Sequence, residues 1–322
     1  MRAGQNPAKF VERVDNPERI TIAIVTYIPF LSGYYAHALE VLKTCLHSLW
    51  QNTNQKYDLL VFDNASGPET VDYLQALHRE GRIQYLLLSE RNLGKGRAWD
   101  FIFNAAPGEI IAYADSDVFF YPSWLSRAMT ILESFPRVGM VTCRPMRTLP
   151  ELYSATETWA SSEPTALLER GQWMTWETFR EHDVSLGQDE ESVNRRYKET
   201  EDLRITYAGQ SALVGAAHWQ FVARKSVLQQ FTPLGIERPL GDDRKLDTSV
   251  NQAEYLRLMT SEPLVRHLGN TLPADISKAI DVDLQAPVKD KPRWRKRLLE
   301  WPPVRRVLLF IHNTIFRWYF NA

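Results

Sequence analysis

The chain has 322 residues, 44% of them hydrophobic, with 38 Lys and Arg against 39 Asp and Glu. That is enough apolar material for one large core or two modest ones, and a formal net charge of −1 argues against a nucleic-acid binder that works by bulk electrostatics. Of the two cysteines, Cys45 sits in an apolar helical pattern and Cys143 ends an apolar strand, which supports neither a disulfide framework nor a zinc site. Residues 1–19 lack the apolar core of a signal peptide, and no segment reaches about eighteen uninterrupted apolar residues, so a cytoplasmic location is the expectation.

Strand-like and helix-like segments alternate through the first half, the pattern of a parallel sheet with helices on its faces. Residues 20–26 read as a first strand, and 38–51 carry Leu39, Leu42, Leu46 and Leu49 at helical spacing. A second strand at 57–63 is closed by a turn over 64–68, and a helix at 69–80 turns Val71, Leu74 and Leu77 inward. Further strands fall at 83–88, 110–115 and 138–143, with helices at 96–104 and 123–135 between them. Ligands collect at the carboxyl ends of such strands, where Thr26, Asp63, Asn92 and Asp115 stand.

The regularity stops near Pro145. Residues 151–205 read as an insertion or acceptor-side lid, rich in acid and tryptophan, with 185–201 partly disordered without ligand. Order resumes over 208–224, followed by a short helix and the segment 241–269. The chain thus divides into an α/β domain over 1–270 and a linker with a tail over 271–322.

The apolar run 110–114 ends in the paired carboxylates Asp115 and Asp117. Residues two apart in an extended chain point the same way, so both would face one edge of the sheet with Ser116 turned away. Magnesium and manganese prefer oxygen ligands and complete their shell with water and phosphates, which implies a phosphorylated ligand; the alternative is a solvated turn or a helix cap. Asp63 can accept from a base imide or a ribose hydroxyl, or it can close a turn over 64–67. Arg91, Asn92, Lys95 and Arg97 flank two glycines, a composition that suits a diphosphate or a solvated basic loop. Asp243 opens a helical pattern with Asp247 one turn on, so both could face one cleft; alternatively Asp242 and Asp243 cap that helix. His267 follows an apolar pair, Leu264 and Val265, and on that ground alone could be a core histidine.

The order of these blocks resembles the family 2 glycosyltransferases of GT-A fold. Thr26-Tyr27 after the first strand, VFDNAS at 61–66, RNLGKGRAWD at 91–100, ADSD at 114–117, GDDRKLD at 241–247 and VRHLGN at 265–270 carry the likeness. Departures are the extended loop 28–37, the insertion, and Asp242-Asp243 where the family often shows Glu-Asp. The resemblance implies a Rossmann-like, mostly parallel sheet flanked by helices, and an inverting transfer from a nucleotide-diphosphate sugar, a UDP-sugar first, to a glycan or lipid-linked acceptor, as in bacterial surface polysaccharide or glycoconjugate assembly. It implies Mn2+ or Mg2+ on Asp117, with Asp115 and His267 as further ligands. It implies Thr26, Tyr27, Asp63, Asn92, Lys95, Arg97 and Asp115 as nucleotide-sugar contacts, and Asp243 as general base with Asp242 and Asp247 as alternatives. Trp159, Trp173 and Trp176 would stack on acceptor sugars or belong to the core. A catalytically inactive carbohydrate-binding or scaffolding member is the competing reading. A sugar-phosphate nucleotidyltransferase would call for a glycine-rich loop after the first strand, and residues 26–32 do not supply one.

From Lys289 onward nine basic residues stand against Asp290 and Glu300, so this tail carries +7 and the rest of the chain −8. Val304, Leu308, Ile311, Ile315 and Trp318 have helical spacing. A basic amphipathic helix lying in an anionic membrane surface is the expectation, with packing on the catalytic domain or on a second copy in a homodimer as the alternative.

Overall fold

The computed structural model describes residues 14–235 and 244–279. In chain order it contains β1 (Ile20–Thr26), α1 (Ala38–Asn52), β2 (Asp58–Asn64), α2 (Pro68–Arg79), β3 (Tyr85–Ser89), α3 (Gly94–Ala105), β4 (Ile110–Asp115) and β5 (Val118–Phe120). There follow α4 (Trp124–Ser134), β6 (Val138–Thr142), α5 (Ser154–Ser162), β7 (Leu167–Gly171), α6 (Trp176–Ser185), α7 (Glu190–Glu199) and β8 (Asp202–Tyr207). The last elements are β9 (Gln210–Val214), β10 (Gln220–Arg224), α8 (Lys225–Leu228), α9 (Arg244–Gln252), β11 (Leu256–Met259), β12 (Val265–His267) and α10 (Ala274–Ala279).

Ten strands form one sheet in the order β3-β2-β1-β4-β10-β6-β11-β9-β8-β7, and β12 pairs separately with β5. The first four run parallel, so their carboxyl ends share one edge. β10 enters antiparallel between β4 and β6, β11 lies parallel to β6, and β9, β8 and β7 complete the far side antiparallel. The expected mostly parallel sheet is therefore the first four strands of a mixed one.

β1, β2, β4 and β6 are apolar at almost every position because both faces are covered. Ile22, Ile24, Leu59, Val61, Ala112 and Ala114 pack among Leu42 and Leu46 of α1, Leu74 of α2 and Leu132 of α4. The alternate residues Ala23, Leu60, Phe62, Ile111 and Tyr113 pack among Trp99, Ile102 and Phe103 of α3 and Val250 of α9. Cys45 and Cys143 are buried free thiols, as expected, and burial pushes Cys143 up to about 12.

The expectation of partial disorder over 185–201 does not hold. Met174, Phe179 and Val193 make a small core of their own with Trp176 and Tyr197. The Asp189 side chain accepts from the Ser192 amide at 3.0 Å and caps α7, a contact typically worth about 1 kcal/mol. Arg180 pairs with Glu190 at 2.6 Å, and Arg196 pairs with Asp183, so two polar helices are tied by charge. Buried Asp202 accepts from Arg147 Nε at 2.7 Å and from the amides of Trp173 and Met174, both at 2.8 Å. The polar composition reflects capped, ion-paired helices rather than a mobile tract.

The tryptophans of this region are engaged. Trp159 packs edge-on against Phe135 and Tyr207, and the Arg204 guanidinium lies 3.5 Å over the Trp173 ring. Trp176 meets Tyr197 with ring centroids 5.4 Å apart. Among the described residues no helix is long and apolar enough to cross a membrane. The tail 289–322 and the carboxylates Asp242 and Asp243 lie outside the described residues.

Candidate active site

Parallel register places Thr26 at the end of β1 directly beside Asp63 at the end of β2. Asp63 Oδ2 accepts from the Ser66 amide at 3.1 Å, the turn-closing contact. Its Oδ1 and the Thr26 hydroxyl are buried with no hydrogen-bond partner among the described residues. Asp63 closes the turn, the alternative given from the sequence, with one oxygen, and its other oxygen is left over. Burial pushes its carboxyl upward, against the downward pull of the Ser66 and Ala65 contacts. Tyr27 is 37% exposed beside this pair and meets the ring of Tyr35 edge-on.

Asn92 is spent on shaping the loop. Its Oδ1 accepts from Asn64 Nδ2 at 3.0 Å and from the Gly94 amide at 2.8 Å, while Asn64 Oδ1 accepts from the Leu93 amide at 2.8 Å. This lock delivers the chain to α3 through Gly94, whose φ of +74° suits a residue without a Cβ. Lys95 then points inward, its Nζ 2.7 Å from Asp115 Oδ2 and 5.2 Å from the Trp99 ring centre. Arg97 is exposed; two residues along a helix it is turned about 200° from Lys95 and does not reach the same carboxylate.

The paired carboxylates separate. The strand ends at Asp115 and a turn follows, so the extended geometry that would aim both the same way is lost. Asp115 keeps the face of Tyr113 and accepts from the Tyr113 hydroxyl at 2.5 Å as well as from Lys95. Asp117 meets His267 instead, with Nε2 and Oδ2 3.2 Å apart. The register of β12 on β5 sets this pairing, because His267 lies opposite Val118 and the Leu268 amide donates to the Asp117 carbonyl at 2.7 Å. Burial opposes a charge on His267, but Asp117 beside it and Asp115 farther off outweigh burial and raise its pKa.

Among the described residues no group of three His, Cys, Asp or Glu stands ready to hold a metal. Asp117 and His267 form a pair, and Asp117 Oδ1 is buried without a partner among the described residues. One carboxylate and one imidazole with open positions fit a magnesium or manganese ion that draws its remaining ligands from phosphate and water. Asp115 is committed to Lys95 and Tyr113 in this arrangement.

Three further residues, His218, Arg257 and Trp219, join the site with almost no sequence signal. His218 Nδ1 lies 2.7 Å from Asp247 Oδ2, and its ring is 6.4 Å from that of Trp99. Asp247 is buried at 3% exposure and is bound by Arg257, itself 0% exposed, at 2.5 Å. A carboxylate shut in by two cationic or hydrogen-bonding partners is an anchor, which weakens the case for Asp247 as a base. Trp219 follows His218, and its carbonyl accepts from the Asp115 amide at 2.9 Å. Only the short run Ala216-Ala217-His218-Trp219 ahead of an apolar strand hints at these contacts in the sequence.

The family model for glycosyl transferase family 2 matches residues 33–186. An uncharacterized glycosyltransferase, alr2836 of Nostoc sp., is 24% identical over 100 residues, covering 31% of this chain and 31% of its own length. The chain therefore spans about a third of that relative. Among solved structures, the mannosyltransferase PcManGT of Pyrobaculum calidifontis, in complex with GDP-Man and Mn2+, is 16% identical, with 78% of this chain and 56% of that chain covered and a TM-score of 0.44. TarS 1–349 of S. aureus in complex with UDP-GlcNAc is 13% identical over 76% of this chain and 56% of its own, with the same score of 0.44. The match to the family 2 glycosyltransferase model, over residues 33–186, supports reading the chain as a glycosyltransferase of family 2 type.

Proposed function

We propose that the enzyme inverts configuration as it passes a sugar from a nucleoside diphosphate, UDP first, to a hydroxyl of a glycan or lipid-linked acceptor. The observation that supports this reading most is the row of chemically distinct groups along one edge: Thr26 with Asp63, then Lys95 with Asp115, then Asp117 with His267. Thr26 and Asp63 offer oxygens to the base and ribose, and Tyr27 offers a ring face beside them. Lys95 brings a cation toward the phosphates and Asp115 holds it there. Asp117 and His267 would hold Mn2+ or Mg2+, which when bound supplies positive charge to offset the departing diphosphate. Asp243 takes the proton from the acceptor hydroxyl as that oxygen attacks the anomeric carbon. The carbon–oxygen bond to the diphosphate breaks on the opposite face, so the configuration inverts. The basic segment 289–322 attaches the enzyme to the inner face of an anionic membrane, where a lipid-linked acceptor is available.

Melting curves with UDP, GDP, dTDP and CMP, each with and without Mn2+, test the donor class, because a ligand that binds only the folded state raises its stability. The largest rise is expected for UDP with Mn2+. Asp243→Asn should keep that rise while turnover falls by about 10²–10⁴. A product that keeps the donor's anomeric configuration, read by NMR, overturns the inverting assignment.

A further inference from the structure

A histidine that binds metal is usually aimed by a hydrogen bond from its second ring nitrogen to a carboxylate or carbonyl. His267 lacks that support: its Nε2 faces Asp117, and its Nδ1 is buried without a partner among the described residues. Its ring is instead set against two other rings. Trp219 stands edge-on to it, with centroids 5.8 Å apart and planes at 72°. His182 lies nearly parallel to Trp219 at 5.8 Å and 22°, and edge-on to His267 at 6.4 Å and 82°.

His182 belongs to α6, within the insertion, and α6 is clamped to the strand that carries His267. Arg144, at 1% exposure, donates to the Thr178 carbonyl at 2.7 Å, pairs with Glu181 at 2.9 Å and donates to the Val265 carbonyl at 3.2 Å. Arg266 reaches Glu181 from the other side at 2.8 Å. Glu181 and His182 are neighbours in sequence, as are Arg266 and His267. The charged ties therefore fix the two rings relative to each other, while Trp219 is fixed by its bond to the Asp115 amide.

We propose that His182 and Trp219 are positioning residues for the metal site: a packed ring stack, rather than a hydrogen bond, holds the His267 imidazole in its metal-facing orientation, and the insertion contributes to metal affinity through His182. This rests on the reading of Asp117 and His267 as the metal-holding pair. The role asked of His182 is that of a flat ring, so a phenylalanine should serve as well and a leucine should not.

The test is Mn2+ affinity of the full chain, measured by electron paramagnetic resonance of free Mn2+ with and without UDP, alongside melting curves. His182→Leu is expected to weaken Mn2+ about tenfold, the loss typical of disturbed support around a metal ligand. His182→Phe should stay within about twofold of wild type, and Trp219→Leu should repeat the leucine result from the neighbouring ring. A folded His182→Leu that binds Mn2+ like wild type, or a folded His182→Phe as weak as leucine, overturns the proposal. If His182→Leu does not fold, Trp219→Leu against wild type decides in the same way. Asp117→Ala and His267→Ala are the controls: should Mn2+ binding be absent from wild type or insensitive to both, the metal reading itself falls, and this proposal with it. A loss in the controls with none in the ring variants overturns the ring stack alone.

Discussion

Asp247→Asn should destabilise the fold by about 3–5 kcal/mol, because it leaves a buried guanidinium without its counter-charge. Arg257 has no exposed surface, and its bonds go to Asp247 at 2.5 Å, to the Ala216 carbonyl at 2.7 Å and to the Leu152 carbonyl at 2.5 Å. Removing the carboxylate charge keeps the two carbonyls but forfeits the attraction that offsets burial of the cation. Arg257→Met inverts the loss: Asp247 keeps only His218, and the carbonyls of Leu152 and Ala216 lose their donor. The double variant carries neither buried charge, so it should cost less than the sum of the singles by about 2 kcal/mol or more, within the range for residues in direct contact. Urea denaturation at pH 7, with the midpoint shift multiplied by a common slope, measures all three. A cost below about 1 kcal/mol for Asp247→Asn, the value of an exposed pair, would refute the reasoning. The same variant separates anchor from base, since an anchor loses stability in the absence of substrate.

Asp117→Ala should abolish Mn2+-dependent transfer while the chain still melts cooperatively; Mn2+-dependent activity in that variant, assayed by diphosphate release, would remove it from the metal site. Asp63→Asn should raise stability at neutral pH, because burial lifts the folded-state pKa above the unfolded value of about 4. The sign follows from linkage: a raised acid costs stability as pH climbs through the unfolded value, and the full cost is present above the folded one. Denaturation at pH 4 and pH 7 should show the gain at pH 7 only, together with loss of the nucleotide-induced rise in melting temperature. Truncation at Lys289 should release the protein from anionic vesicles, as should high salt, since each basic residue contributes at most about 1 kcal/mol that salt screens. Misfolding or a changed oligomeric state in the truncated chain, with intact protein that ignores vesicles, would assign the tail to packing.

The strands of the first half are legible because burial on both faces leaves unbroken apolar runs. β1 and β4 fall on the runs 20–26 and 110–115, and the helices between them start within two residues of their apolar patterns. The paired carboxylates are legible as residues and not as geometry, because a polar Asp-Ser-Asp between two apolar stretches does not by itself tell a turn from a continuing extended strand. The buried arginines Arg144 and Arg257 look like surface residues in sequence, since nothing local announces that Glu181 or Asp247 will meet them. His182, His218 and Trp219 belong to no spaced motif; strand pairing and helix docking bring them to the edge. In the insertion, composition read as disorder concealed helices held by caps and ion pairs.

The place of β10 in the sheet governs how the chain can be cut. It is inserted between β4 and β6, which end at Asp115 and Thr142, well before it begins at Gln220, and β11 lies on the other side of β6. The family match ends at residue 186 and begins at 33, so a fragment drawn to those bounds would lack β1, β10 and β11. Such a piece would not be a smaller enzyme. β4 would lose both neighbours and β6 would stand with bare edges, a template for pairing with other chains, and Asp117 would have no His267. Soluble expression of either part alone should therefore fail, and two fragments split between β9 and β10 should regain the site only when they are refolded together.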